Sequence, residues 1–135
     1  MTAESVTGMG RRQAETLMTA TAVIERPTGE VLEDDETLET YPVMETIYSG
    51  KARLRMVTAA APSEAAIPGA VAVKDELILS IPVDAEGSGD VRPNDIVTVT
   101  DNPMDPSVAV VQMRIAGVHH GTYMTARRFP LVEVS

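Results

Sequence analysis

From residue 20 onward the chain is written as short β-branched runs, each closed within about a dozen residues by a Pro, Gly or Asn cluster. The run 21–26 (TAVIER) meets Pro27-Thr28-Gly29, and 43–48 meets Ser49-Gly50. The runs 51–57, 71–83, 95–100, 108–117 and 122–134 follow, separated by equally strong breakers. Val, Ile and Thr supply 38 of 135 residues, and their branched side chains pack well on a pleat but lose freedom in a helix. This punctuation predicts a mainly β fold: a small antiparallel β-barrel or sandwich of about six to seven strands with one short N-terminal helix. With Trp absent and only four aromatic residues, the core is expected to be aliphatic.

The expected organisation is a flexible N-terminal arm over residues 1–10 and a single domain over 11–135. A helix over 11–19 opens that domain, placing Ala14, Leu17, Met18 and Thr21 on one face, and loops lie at 30–42, 58–70 and 84–94. Within 51–57 (KARLRMV) a period of two puts Ala52, Leu54 and Met56 on one side and Lys51, Arg53 and Arg55 on the other, a basic stripe. Leu77, Leu79 and Ile81 line one face of the next run. Residues 30–39 (EVLEDDETLE) carry six acidic side chains and no basic one, which reads as a solvated, self-repelling loop or a negative patch for a basic partner. Pro130 implies an edge position or a kink in the last strand.

Chemistry-bearing patterns are few. Zero cysteines remove disulfides, thiolate metal sites and thiol nucleophiles together. Gly87-Ser88-Gly89 precedes Asp90, which repels phosphate, and no Lys-Ser/Thr pair follows. His119 and His120 are adjacent, so on an extended chain they face opposite ways and do not chelate one ion together. The expectation is a protein that is not an enzyme, with no catalytic, cofactor-binding or metal-ligating residue and no cofactor. The opening segment lacks a basic-then-apolar signal, which predicts synthesis in the cytoplasm, and no run approaches a membrane span. A net charge of −9 opposes tight non-specific DNA binding.

Several segments taken in order resemble one family. They are the short helix, 22–29 (AVIERPTG), a variable acidic loop, 46–53 (TIYSGKAR), 91–100 (VRPNDIVTVT), 110–117 (VVQMRIAG) and 122–130 (TYMTARRFP). Together they resemble the head-tail joining proteins of long-tailed bacteriophages, the head-to-tail connector or stopper group common in phages of actinobacteria. That resemblance implies a virion structural protein at the head-tail junction. It would form a homo-oligomeric ring below the portal and adaptor, close the DNA-filled head and dock the tail. The implied partners are further copies of the chain, portal or adaptor proteins, tail-terminator or tail-tube proteins, and passing genomic DNA bound without sequence specificity. A tail-terminator or adaptor ring protein of the same junction is the alternative, and a small β-sandwich ligand-binding module is the alternative from another class.

Within that picture, the loop with Asp84, Glu86, Gly87, Ser88, Gly89, Asp90 and Arg92 is the candidate channel or gating loop, dispensable for folding. Candidate inter-subunit or partner contacts are Arg11, Arg12, Glu33, Asp34, Asp35, Glu36, Lys51, Arg53, Arg55, Arg127 and Arg128. Opposite charges on different edges suit a head-to-tail contact, which can close into a ring.

Overall fold

The computed structural model describes residues 2–62, 71–104, 107, 111–119 and 121–134. Helix α1 (Ala3–Thr16) is followed by six strands: β1 (Ala20–Glu33), β2 (Thr40–Pro62), β3 (Val71–Ile81), β4 (Ile96–Asp101), β5 (Val111–Ile115) and β6 (Arg127–Glu133). All six pair antiparallel in the order β1-β2-β3-β6-β5-β4, and β4 returns to β1, so the sheet closes on itself. The mainly β class with one N-terminal helix is therefore the fold of this chain.

The inward face follows from the period of two. Ala22, Ile24, Tyr48, Ala52, Leu79, Ile81, Val97, Ile115, Phe129 and Leu131 form one buried cluster, with Leu54 and Leu77 packed against it. The alternation thus points Ala52 and Leu54, and Leu77, Leu79 and Ile81, inward as expected, whereas Met56 on the same side of β2 is exposed. Phe129 and Tyr48, 1 and 3 % exposed, are its aromatic members, and aliphatic residues fill the rest.

Element boundaries differ from the sequence reading in several places. The arm over 1–10 is instead largely helix: α1 starts at Ala3, with the Thr2 hydroxyl accepting from the Ser5 N–H at 3.1 Å as its N-cap. That helix buries no residue, so the apolar stripe expected of 11–19 does not form; Leu17 is half exposed and Thr21 lies in β1. Polar contacts hold it, as Arg11 Nε donates to the Met124 carbonyl at 2.8 Å and Glu15 pairs with Lys51 at 3.4 Å.

Pro27-Thr28-Gly29 is a bulge within β1, not a turn, because pairing with β2 resumes at Val31↔Pro42. Gly29 adopts φ +92 there, and the Thr28 hydroxyl bonds to the Val43 carbonyl at 3.2 Å. The loop expected over 30–42 consequently shrinks to 34–39. Ser49-Gly50 does not interrupt the strand either. The runs 43–48 and 51–57 are one strand, with the bulge at Ile47, since Ile24 faces Tyr48 and Glu25 faces Thr46. Of the loop expected over 58–70, residues 58–62 extend β2, and 63–70 lie outside the described residues.

Pro130 sits in β6, between β3 and β5, rather than at an edge. A residue's N–H and C=O point to the same side of an antiparallel strand. The Pro130 carbonyl accepts from Ala116, one residue past the end of β5, so the missing donor falls where that ladder stops.

Candidate functional site

Beyond Glu25, β1 no longer has β4 beside it, yet its pairing with β2 continues to Glu33↔Thr40. The result is a two-stranded arm leaving the closed sheet at the N-terminal end of β2. At the other end of β2 the pairing with β3 runs on to Pro62↔Val71, past the Leu77–Ile81 stretch that β6 covers. One 23-residue strand therefore carries a ribbon at each end.

The first arm is acidic and is held by its backbone pairing and a few local side-chain caps. Its tip closes through Asp34 N–H to the Glu39 carbonyl and Leu38 N–H to the Asp34 carbonyl, each 2.8 Å, while the Asp34 carboxylate caps the Glu36 N–H at 2.9 Å. Leu38 takes a positive φ of 59 in this turn. Glu33, Asp34, Asp35 and Glu36 are all exposed. So are Val31, Leu32, Leu38 and Tyr41, at 63, 51, 72 and 50 %, an unusual load of apolar surface for a ribbon that no other described residue covers.

The candidate cationic residues divide sharply. Arg127 Nε donates to the Ser88 hydroxyl at 3.1 Å, and Arg128 donates to Thr125 at 3.3 Å. Besides its bond to Met124, Arg11 reaches Asp84 at 3.3 Å, and Lys51 holds Glu15. These four act within the subunit. Arg12 and Arg55 are exposed and Arg53 is half-buried; none makes an ion pair among the described residues.

Arg53 borders a groove of about 520 Å³. It opens where β1 begins at Ala20, opposite Ala52, while β2 runs on with β3 along its other edge. Leu17, Leu54, Met56, Leu77 and Met104 supply its apolar lining.

Residues 84–94, the candidate gating loop, are packed into the fold at Ser88 and Val91. Ser88, 2 % exposed, lies in a short 3-10 turn (Ser88–Asp90), and its hydroxyl donates to the Val83 carbonyl at 2.8 Å while accepting from Arg127. Gly87 has φ +81, and a Cβ there would collide with the Ile47 carbonyl oxygen at the β2 bulge. Only glycine meets both conditions. Val91 is buried in the core cluster, whereas Asp84, Glu86, Asp90 and Arg92 remain exposed. The segment caps one end of the closed sheet through Ser88 and Val91.

The most consequential pair went unforeseen. Asp95, 2 % exposed, accepts from Arg26 Nε at 2.8 Å, from Arg26 Nη2 at 2.9 Å and from the Arg92 N–H at 2.8 Å. Arg26 Nη2 also donates to the Asp90 carbonyl at 2.9 Å. Hydrogen bonding to Asp95 holds the guanidinium above its ordinary value, against the cost of burial. This bidentate pair ties the 22–29 segment to the 91–100 segment, while Ile47 and Arg127 bring 46–53 and 122–130 to the same cap. Four segments that carried the family resemblance thus meet around one end of the sheet. Pairs 69 residues apart leave no local sequence signal.

A family model described as a family of unknown function (DUF6093) matches residues 10–132. No curated protein matches the chain.

Proposed function

The chain belongs to the DUF6093 family, and we propose that it is a structural ring subunit of a bacteriophage head-tail junction, the stopper that closes the filled head and receives the tail. The observation that carries this reading is the pair of ribbons leaving opposite ends of β2 from one closed sheet. A ring subunit must contact neighbours on two sides and partners above and below, and projecting ribbons multiply contact surface without enlarging the core. The charge supports the same reading. A subunit at −9 repels phosphate over roughly a Debye length of ~8–10 Å, so DNA slides past rather than sticking. The 84–94 cap, being packed into the fold, serves as the rigid floor of the subunit, and the arm at 34–39 replaces it as the element that reaches outward.

The test is mass spectrometry and cryo-electron microscopy of the particles whose genome encodes the chain. The expected result is ring density for it between portal and tail tube. Particles that lack the chain, or a gene lying outside any phage or prophage, overturn the proposal. Density at the tail side of the junction alone would make it the terminator instead.

A further inference from the structure

We propose that the acidic β1–β2 arm of one subunit docks along the unpaired edge of β2 in a second copy, filling the groove beside Leu54 and Met56. This deepens the ring reading and rests on it for closure of the contact into a ring.

The receptor side is a vacated lane. Among the described residues, the edge of β2 that β1 had occupied has no strand partner after Ala52, and apolar side chains line the space beside it. A free strand edge next to an apolar groove is what an added strand requires: main-chain bonds supply affinity, and alternate side chains supply selection. The donor side is the arm. Past Glu25 its β1 edge has lost β4. A lone two-stranded ribbon with exposed Leu32 and Tyr41 is marginal in water without further cover.

The alternation of the two edges matches. Leu32 and Tyr41 stand directly opposite each other and so share one face of the arm, while Val31 and Glu33 lie on the other. On β2, Leu54 and Met56 face the groove, and Arg53 and Arg55 face away from them. Seating Leu32 on Leu54 and Met56 therefore brings Glu33 to the side of Arg53 and Arg55, neither of which is ion-paired among the described residues. Charge also selects the occupant. Arm against arm would set six carboxylates on six, so self-pairing of arms is disfavoured and the basic-edged groove is preferred.

The arm cannot reach its own groove. Tyr41 and Ala52 are eleven positions apart on the same strand, roughly 36 Å at 3.3 Å per residue, and the arm leaves in the opposite direction. The contact is therefore between copies and joins two different patches. Such contacts propagate head to tail and close when the rotation per subunit permits.

The absence of native cysteine makes the test clean. One tagged copy carries Leu32→Cys and a differently tagged copy carries Met56→Cys, both at exposed positions. Mixed copies are oxidised at high concentration in solution and, separately, in purified particles. The expected result is a cross-linked product bearing both tags. The double change Arg53→Glu with Arg55→Glu should reduce it at least tenfold, and adding Glu33→Arg on the arm should restore it. Absence of the mixed product from both preparations overturns the proposal, as does a product indifferent to the charge reversal. Rings seen in particles without the cross-link would refute this contact but keep the stopper reading. The cross-link in solution with no chain in particles would do the reverse.

Discussion

Replacing Arg26 by Met tests whether the cap is held by a buried ion pair. Asp95 is 2 % exposed and takes three short N–H bonds, two of them from Arg26. Hydrogen bonds to a charged group contribute about 1.5–3 kcal/mol each, and stranding a buried charge costs about 3–5 kcal/mol. The Arg26 side chain keeps 24 % of its surface in water, so part of the pair is already solvated and the lower end applies. Arg26→Met, which also loses the bond to the Asp90 carbonyl, should cost about 3 kcal/mol, or roughly 10 °C in Tm for a domain of this size. Asp95→Asn should cost less, about 1–2 kcal/mol. The amide still accepts from the Arg92 N–H, and the freed guanidinium can turn outward. The double variant should fall short of the sum by at least about 1 kcal/mol, because the second change removes a group already deprived of its partner. The assay is urea unfolding followed by far-UV circular dichroism, with the slope checked for constancy. Additive losses, or a larger loss from Asp95→Asn than from Arg26→Met, would refute the reasoning.

Tyr48→Phe should flatten the alkaline limb of the stability profile. Burial raises the Tyr48 pKa above 10, with Glu15 adding to it, and the neutral hydroxyl donates to the Lys51 carbonyl at 2.6 Å. Stability from this group is complete below the unfolded tyrosine value and is lost as pH rises through the higher folded one, so unfolding at pH 9 to 11 should be steeper with Tyr48 than with Phe. Gly87→Ala should cost about 2–3 kcal/mol in the same unfolding assay, since a positive φ and the Ile47 carbonyl both oppose a Cβ. A loss below ~0.5 kcal/mol would mean that the cap shifts freely.

How much of this was legible in the chain depends on whether the physics was local. The alternations at 51–57 and 77–81 were readable because Ala52 and Leu54, and Leu77, Leu79 and Ile81, pack on the core and a slip of one residue would expose them; Met56 lies past the covered stretch. The acidic stretch at 30–33 hid its strand, as no buried face imposes a pattern on a ribbon in water. Residues 3–10 hid a helix for a similar reason. Gly8, Gly10 and Thr7 lower propensity, no apolar stripe exists, and only Thr2 with Glu4 in the first turn signals a start. Flanking glycines made Ser88 look mobile, whereas Gly87 is there because the Ile47 carbonyl leaves no room. The Arg26–Asp95 pair and the groove beside Leu54 arise only from tertiary neighbours. Of the eleven candidate contact residues, the exposed acidic four with Arg12, Arg53 and Arg55 stay available, while Arg11, Lys51, Arg127 and Arg128 turned out to be occupied at home.

The strand order also has a consequence for how the molecule is made. β1-β2-β3 and β4-β5-β6 are each a meander of consecutive strands, and the sheet closes only where β1 meets β4 and β3 meets β6. Each meander forms from near neighbours in sequence, but the two seams join residues as distant as Thr21 and Asp101. Closing such spans costs chain entropy before any long-range pairing repays it, which places seam formation late in folding. Until then both meanders present raw edges, and a newly made chain is most exposed to wrong partners during that interval. Amide exchange should fade first along these two seams, and the Arg26–Asp95 bond, which links β1 to the residue just before β4, is the clasp that shuts one of them.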